Sequence, residues 1–229
     1  MMIILTNDDG IDAPGIRALQ SALGGEGILV APTVQYSGCG HQTTTHKPLK
    51  MEQRSPNEYA VHGTPADCTR LAIAQLQPQL NQDIDWVLSG VNAGGNMGID
   101  VYMSGTVAAV REAAIHGIPG IAISHWIKRP LAIDWERTTQ WTAHILSKLF
   151  SHPLEPRCFW NVNIPHLEPG AEEPEMVFCP LSTQPLPLQY RVEGGEYIYC
   201  GNYDRRDRTP GTDVDLCFSG NISVTQVRI

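Results

Sequence analysis

The sequence predicts an α/β protein whose sheet is mainly parallel and doubly wound, with helices on both faces. Short apolar segments alternate with helical patterns over the first 125 residues, which is the order expected for βαβ units. In addition, residues 2–6 form a continuous apolar run, as expected for a strand buried on both faces.

The strands of this region follow from the apolar runs and from the turn residues that bound them. Each run is short, and each is followed by a segment that reads as a turn, a loop or a helix start. We expect strands at residues 2–6, 28–30, 59–62, 86–88 and 121–123.

Capping residues predict where the first helices begin. Asp12 is placed to cap a helix that has Pro14 in its first turn and runs to residue 23. Thr64 is placed to cap the next helix, because Pro65 would take its first position and Asp67 would lie in the first turn, where acids are favoured.

Two later helices have comparable signals. Ser104 precedes a helical pattern over residues 105–116, which Gly117 and Pro119 end. Another helix is expected from Trp135 to about residue 150.

The composition and the pattern of apolar residues change after residue 150. Pro and Gly are dense between 164 and 211, and the strand-like segments 159–164, 197–200 and 222–227 have no helical pattern between them. We therefore divide the chain into an α/β core, residues 1–150, that carries the site, and a β-rich extension, residues 151–229. The extension completes the domain, and a hairpin or extended arm within it is expected to make oligomer contacts.

Composition narrows the classes of partner and compartment. The formal net charge is −8, and Lys and Arg do not cluster, so a long nucleic-acid backbone is not expected as a partner. No apolar run approaches the roughly 20 residues that span a bilayer, so no membrane partner is expected. The first residues lack the basic flank of an export signal, and the six cysteines contain no CxxC pair. We expect a cytoplasmic protein with reduced thiols.

Three polar clusters follow strands, where ligands of open parallel sheets bind. The first is Asn7-Asp8-Asp9-Gly10, in which two adjacent carboxylates leave a buried strand. A hard divalent cation would offset their repulsion, because Mg²⁺, Mn²⁺ and Ca²⁺ prefer oxygen ligands. The alternative is an Asx turn followed by helix-capping acids.

The second cluster is the loop at residues 35–41, just past the second strand. Its small residues would let the backbone approach a ligand closely, and the hydroxyl of Ser37 could supply an oxygen ligand. Taken alone, such a segment is more often a flexible loop.

The third cluster combines a Gly- and Asn-rich loop, residues 89–98, with Ser104-Gly105-Thr106 at a helix start. Exposed backbone N–H groups and the helix dipole make such a start an anion site, and the hydroxyls of Ser104 and Thr106 would add donors. It is not a GxxxxGK[ST] phosphate loop, because it has no lysine. The alternative is an N-cap serine on an ordinary helix.

Several polar residues have simpler interpretations. His62 alternates with apolar residues and is expected to be structural, whereas His116 is expected to interact with a helix C-terminus. Asp67 and Arg70 are spaced to pair on one helix. His41 lies near Ser37 in the sequence and is a candidate to line the site.

Together the clusters suit metal-assisted hydrolysis of a phosphate ester. A cation would polarise the phosphoryl oxygen and lower the pKa of a bound water, and backbone N–H groups would stabilise the phosphoryl charge.

The chain also resembles the stationary-phase survival protein SurE family of 5′/3′-nucleotidases. The resemblance covers nearly the whole chain, with motifs in the expected order. The matching residues are 4–10 with 13–15, 31–32, 37–38 and 40–41, 63–68, 89–92 with Gly94, Asn96 and Gly98, 104–107, 211–213 and 223–225.

This resemblance implies a site and an activity. It implies one divalent cation, Mg²⁺ or Mn²⁺, on Asp8, Asp9, Ser37 and Asn92, with Asp8, Asp9 and Asn96 in catalytic roles. It implies that Asn96, Ser104, Gly105 and Thr106 contact the substrate phosphate. The implied substrates are nucleoside 5′- and 3′-monophosphates, with short polyphosphate for some members. The implied fold is Rossmann-like, with a C-terminal hairpin arm exchanged in a homodimer or homotetramer.

Two positions depart from the family pattern. Met103 stands where a tyrosine is usual, with Tyr102 one place earlier, and Gln42 stands where a serine is usual. Neither removes an implied ligand, but both bear on the wall of the nucleotide pocket and so on substrate preference.

Two other functions fit parts of the pattern. An aspartyl-phosphate phosphatase would use Asp8 as a covalent nucleophile, but its acids are usually one residue apart and a lysine is needed nearby. A nucleotide-sensing module would bind without hydrolysis, yet adjacent carboxylates without a metal would repel a phosphate.

Overall fold

One nine-stranded sheet forms the centre of the protein in a computed structural model that describes residues 1–229. The strand order is β3-β4-β2-β1-β5-β6-β7-β11-β8, and a separate two-stranded sheet pairs β9 with β10. The strands are β1 Ile3–Thr6, β2 Ile28–Pro32, β3 Met51–Ser55, β4 Glu58–Val61, β5 Trp86–Ala93, β6 Gly120–His125, β7 Cys158–Ile164, β8 Met176–Phe178, β9 Tyr190–Glu193, β10 Glu196–Tyr199 and β11 Ile222–Arg228.

Helices cover both faces of the sheet, which confirms the predicted doubly wound architecture. The helices are α1 Pro14–Ala22, α2 Pro65–Leu71, continued by a π-helical turn and α3 Gln77–Leu80, then α4 Gly105–Ile115, α5 Trp135–Leu149 and α6 Asp213–Phe218. Short 3₁₀ turns lie at Gly98–Tyr102 and Tyr203–Arg205.

The two faces carry separate apolar cores. Ile3 and Leu5 of β1 pack in the core that includes residues of α1 and α5, whereas Ile4 packs in the core that includes residues of α2 and α4. This alternation follows from the two-residue period of a strand, and it explains why the β1 segment is apolar throughout.

The neighbours of β1 are parallel to it, as predicted. β1 pairs in parallel with β2 and β5, and β5 and β6 continue the parallel arrangement to β7. The carboxyl ends of β1, β2 and β5 therefore open at the same edge, where the three polar clusters of the sequence follow them.

The capping predictions succeed at two helices and fail at one. Thr64 and Asp67 form a capping box on α2, and the Ser104 hydroxyl accepts from the N–H of Val107 on α4. The Asp12 prediction is wrong: Ala13 precedes α1 without a side-chain cap, and Asp12 instead binds Arg54 through both oxygens, at 2.7 and 2.9 Å. The β3 strand that carries Arg54 was not predicted, because its residues are largely exposed and polar.

Three strands of the C-terminal segment belong to the central sheet. β7 pairs in parallel with β6, β11 runs antiparallel to β7, and β8 closes this edge. The expectation that no helix separates the strand-like segments is wrong, because α6 lies between β10 and β11. The predicted hairpin is present as β9 and β10, which lie outside the central sheet.

Two general features concern the helices and the cysteines. No helix of the structure has the length and apolar character that a membrane crossing requires. All six cysteines are free thiols.

We expect Thr64→Ala to lower the free energy of unfolding by about 0.5–2 kcal/mol, because it removes the cap of α2. Urea unfolding followed by circular dichroism measures this change. Thr45→Ala is the control, since Thr45 is exposed and should change stability by less than about 0.5 kcal/mol. Equal losses in both variants would contradict the capping role.

Candidate functional site

A buried asparagine shapes the turn that follows β1. The Asn7 amide donates to the carbonyl of Gly10 at 2.8 Å and accepts from the N–H of Gly10 at 3.2 Å. Because the turn is fixed at both ends, Asp8 and Asp9 leave the strand at a defined point on the carboxyl edge of the sheet. The alternative of an Asx turn with helix-capping acids is found only in part, since Asn7 bonds Gly10 three residues on and neither acid caps α1.

Asp8 is a buried carboxylate without a basic partner. Only 5% of its surface is exposed, and it forms no salt bridge with any Lys, Arg or His. Its Oδ1 accepts from the hydroxyl of Thr106 at 2.5 Å. The pKa of Asp8 is raised to about 6, because burial and repulsion from Asp9 raise it by more than the Thr106 hydrogen bond lowers it.

Asp9 forms hydrogen bonds with both neighbouring loops. Its Oδ2 accepts from the N–H of Ala93 at 3.2 Å, at the end of β5. Its Oδ1 accepts from the Gln35 amide at 3.3 Å, and the same amide donates to Ser37 Oγ at 2.8 Å. The Gln35 amide therefore bridges Asp9 and Ser37.

The N-terminus of α4 packs directly against Asp8. A Cβ placed on Gly105 would lie 2.9 Å from Asp8 Cβ and 3.0 Å from Cys39 Sγ, so only glycine allows this approach. Ser104 accepts from Val107 N–H, whereas the N–H groups of Gly105 and Thr106 have no acceptor within the helix. The Thr106 N–H is directed at the Asp8 carboxylate, which leaves the Gly105 N–H available to an anion beside the acids.

The two asparagines of the Gly-rich loop lie in different surroundings. The Asn92 amide donates to the carbonyl of Gly94 at 2.8 Å, next to the Ala93 contact with Asp9. The Asn96 amide donates to Ser124 Oγ at 2.8 Å and makes no hydrogen bond to either acid.

Two asparagines of β7 hold Asn96 in place. The backbone N–H of Asn96 donates to Asn163 Oδ1 at 2.7 Å. Its carbonyl accepts from the amides of Asn161 and Asn163, at 2.8 and 3.1 Å. These supports were not predicted, although two asparagines with a two-residue spacing in an otherwise apolar strand are a recognisable signal.

One predicted pairing of polar residues is wrong, and the site candidate His41 contacts a different element. Asp67 does not pair with Arg70; its carboxylate accepts from the N–H groups of Thr44 and Thr64. His41 points to α4, where its Nε2 lies 2.7 Å from Glu112 Oε2, and it makes no hydrogen bond to Asp8 or Asp9.

The remaining histidine interpretations agree with the contacts. His116 is the C-cap residue of α4, at the end of the helix as predicted. His62 is a satisfied histidine, since its Nε2 lies 2.9 Å from Glu52 Oε1, although it is exposed and not in the core.

The geometry defines an α/β protein of the doubly wound class, with paired acids and a helix N-terminus at the carboxyl edge of its parallel strands. A family model described as Survival protein SurE matches residues 3–185, and the chain belongs to that family.

Individual relatives cover the whole chain. A protein of Nostoc sp. named as a candidate 5′-nucleotidase is 58% identical over 100% of both chains. The 5′-nucleotidase SurE of Paramagnetospirillum magneticum is 34% identical over 98% of this chain and 88% of that protein. The crystal structure of the SurE protein from Aquifex aeolicus has a TM-score of 0.86 at 32% identity, and the match covers 100% of this chain and 93% of that one.

We expect Asn163→Leu to lower the free energy of unfolding by about 1–3 kcal/mol, because the buried N–H of Asn96 loses its acceptor. Asn161→Leu is the matched variant, since the Asn96 carbonyl then retains the Asn163 amide. Urea unfolding should show the larger loss for Asn163→Leu, and the reverse order would refute the assigned network.

Proposed function

We propose that this protein is a phosphomonoesterase that hydrolyses nucleoside 5′- and 3′-monophosphates to nucleoside and phosphate with the help of one divalent cation. The names of the curated relatives support the nucleotidase activity, and their similarity extends over the full chain. The observation that carries the proposal is the unneutralised Asp8–Asp9 pair, in which Asp8 is buried and Asp9 partly exposed, placed against the start of α4.

The donors around Asp9 fit a hard cation. Asp8 and Asp9 supply carboxylate oxygens without a competing Lys or Arg, and Ser37 and Asn92 supply neutral oxygens on the flanking loops. No three His, Cys, Asp or Glu side chains converge in the structure, so the remaining ligands would be hydroxyl, amide or water oxygens. That set suits Mg²⁺ or Mn²⁺ better than Zn²⁺, which favours His and Cys.

The residues around the acids have separate tasks in this proposal. When bound, the cation supplies charge neutralisation and lowers the pKa of a water ligand. The Thr106 hydroxyl and N–H hold Asp8 in one orientation, and the Gly105 N–H, with that of Thr106 once the cation draws Asp8 away, binds a phosphoryl oxygen. The Ser104 hydroxyl and the Asn96 side chain complete the phosphate contacts, with Asn96 fixed by Ser124 and Asn163.

The surroundings of Asp8 favour this mechanism over a covalent one. An aspartyl-phosphate intermediate needs a nearby lysine or arginine to offset the phosphoryl charge. Neither Asp8 nor Asp9 pairs with a basic side chain. A purely binding module is also disfavoured, because paired carboxylates repel a phosphate unless a cation lies between them.

We expect phosphate release from nucleoside monophosphates to require Mg²⁺ or Mn²⁺, to stop in chelator, and to fall by roughly 10²-fold or more in Asp8→Asn. The loss follows from the several kcal/mol that a group stabilising transition-state charge contributes. The assay measures phosphate from a panel of 5′- and 3′-monophosphates, with inorganic tripolyphosphate included.

Asp12→Asn is the matched control for this test. Asp12 lies four residues further along the chain, and its side chain is 71% exposed and paired with Arg54. Activity that survives both chelator and Asp8→Asn would refute the metal site. A trapped phosphoenzyme would favour the covalent mechanism, and tight nucleotide binding without turnover would favour a sensing module.

We also propose that the β9–β10 hairpin makes the contacts of a homodimer or homotetramer. Its apolar side chains support this role, since the chain leaves most of their surface exposed. Val192 and Tyr197 are 61% and 75% exposed, and the neighbouring Leu188 is 83% exposed.

We expect the purified protein to sediment as a dimer or tetramer, and Val192→Asp with Tyr197→Asp to shift it towards monomer. Each substitution would place a charge in an apolar interface, where it lacks a partner. Analytical ultracentrifugation measures the shift. Glu193→Lys, on the same hairpin, is the control that tests whether a change of charge alone causes the shift in mass. An unchanged mass in the double variant would exclude the hairpin from the interface.

A further inference from the structure

Glu112 is a buried carboxylate that binds basic side chains from three parts of the chain. It lies in α4 and is only 6% exposed. Its Oε2 lies 2.7 Å from His41 Nε2, and its Oε1 lies 3.2 Å from His116 Nε2 and 3.8 Å from Arg70 Nε. His41 belongs to the loop after β2, Arg70 to α2 and His116 to the end of α4, so one acid joins three elements. The proposed cation and phosphate contacts do not use it.

The Glu112 carboxylate is ionised at neutral pH despite its burial. Burial raises the pKa of Glu112, but the hydrogen bond and charge of His41, followed by His116 and Arg70, lower this pKa below its ordinary value. An ionised carboxylate only accepts hydrogen bonds, so the Nε2 atoms of both histidines are donors. A hydrogen bond to a charged acceptor is stronger than a neutral one, and the contact with His41 is the shortest of the three.

The loop that carries Ser37 is fixed to the paired acids on one side of this serine. The N–H of Tyr36 donates to the carbonyl of Asp8 at 2.7 Å. The Gln35 amide donates to both Asp9 and Ser37. Hydrogen bonds, and not only proximity in the sequence, therefore join the first part of this loop to the proposed cation site.

On the other side of Ser37 the loop is fixed to α4. The N–H of Gly40 donates to the carbonyl of Met103 at 2.9 Å, just before α4 begins. The next residue, His41, binds Glu112 further along the same helix. The loop is thus held by α4 at two points, and the second of them is a contact between side chains.

The segment between these two attachments has little support of its own. Gly38 has a φ of +70°, and no atom lies within 4 Å of the position that its Cβ would take. The only backbone hydrogen bond within the segment joins the N–H of Cys39 to the carbonyl of Tyr36, at 3.3 Å. A segment with such a glycine is conformationally free unless its ends are held, so the position of Ser37 depends on the attachments.

We propose that the hydrogen bond between His41 and Glu112 is a positioning contact, which fixes the Ser37 loop on α4 and so presents the Ser37 hydroxyl to the cation. The proposal rests on the function proposed above, and it deepens that function by assigning two residues that act through a ligand and touch neither cation nor substrate. Because α4 also carries the phosphate-binding N-terminus, the contact holds the cation-binding loop and the phosphate-binding helix together.

The later part of the loop has separate contacts that do not replace this one. Asp67 accepts from the N–H and the hydroxyl of Thr44, at 2.8 and 2.7 Å. The carbonyl of Gln42 accepts from the Thr64 hydroxyl at 2.5 Å. Among the hydrogen-bonding side chains that fix the loop to the helices, His41 lies nearest in the chain to the proposed cation ligand.

Hydrogen–deuterium exchange of the metal-free protein tests the attachment of the loop. We expect His41→Ala to speed exchange by roughly tenfold or more in peptides that contain Tyr36 and Gly40, because their N–H groups exchange when the loop opens. His116→Ala is the matched control, since it removes the other histidine from the same carboxylate. Exchange that is unchanged in His41→Ala, or that rises equally in both variants, would overturn the proposal.

Binding of Mn²⁺ without substrate, measured by isothermal titration calorimetry, tests the consequence for the site. We expect His41→Ala to weaken this binding by roughly tenfold, because groups that hold a metal ligand in place typically contribute at least that much to affinity. His41→Gln retains an N–H donor and should recover the affinity to within about threefold of wild type. His116→Ala should bind within about twofold of wild type. Circular dichroism checks that each variant is folded.

A double-mutant cycle with Ser37→Ala tests whether His41 acts through Ser37. If it does, the variant that combines His41→Ala with Ser37→Ala should bind Mn²⁺ within about twofold of Ser37→Ala alone, because the contact then has no ligand to position. Additive losses of affinity would show that His41 acts on the site independently of Ser37, and would overturn the proposal.

The outcomes separate this proposal from the proposed function. Unchanged Mn²⁺ affinity in His41→Ala, with a wild type that binds the metal, would overturn the positioning role and leave the cation site standing. A wild type that does not bind Mn²⁺ would overturn the cation site and, with it, the role of His41 towards the cation. Faster exchange in His41→Ala would then support the loop attachment alone.

Discussion

The contact between the end of β1 and the beginning of α4 sets the geometry of the candidate site. Gly105 lies so close to Asp8 that a β-carbon would overlap the carboxylate side chain, and Thr106 donates to the same carboxylate. The close approach brings a negative group to a helix N-terminus, which is electrostatically favourable. It also leaves the carboxylate buried, and burial disfavours its charged form.

This conflict gives the site its chemical character. Burial and the neighbouring Asp9 both raise the pKa of Asp8, and no basic side chain offsets them. A structural acid would ordinarily be paired or exposed. An acid that is buried without a basic partner, at the edge of the sheet where parallel strands end, is instead suited to bind a cation. The metal-dependent function that we propose follows from this placement of Asp8.

The remainder of the chain restrains the loops around these acids. Asn161 and Asn163 of β7 hold Asn96, and Glu112 of α4 binds His41 at the end of the loop that carries Ser37. The ion pair of Asp100 and Arg206 ties the Gly-rich loop to a C-terminal turn. Loops rich in glycine are conformationally free on their own, so such supports are needed for a site with fixed geometry.

The sequence by itself determined the local features. The apolar run of β1, the caps at Thr64 and Ser104, and the placement of Asp8 and Asp9 after a buried strand depend on neighbouring residues, and all were predictable. The resemblance to the SurE family also followed from short motifs in order, and the family match agrees with it. The cap assigned to Asp12 failed because Arg54, from a distant and unpredicted strand, competes for that carboxylate.

Only the tertiary structure decided which distant residues meet. Thr106 and Asp8 are 98 positions apart, Asn96 and Asn163 are 67 apart, and Tyr203 and Asp100 are 103 apart. No spacing rule connects such pairs, because their contact depends on strand order and on how the helices pack across the sheet. The sequence thus determined which chemical groups follow each strand, whereas the fold decided which of them share a site and which hold the others in place.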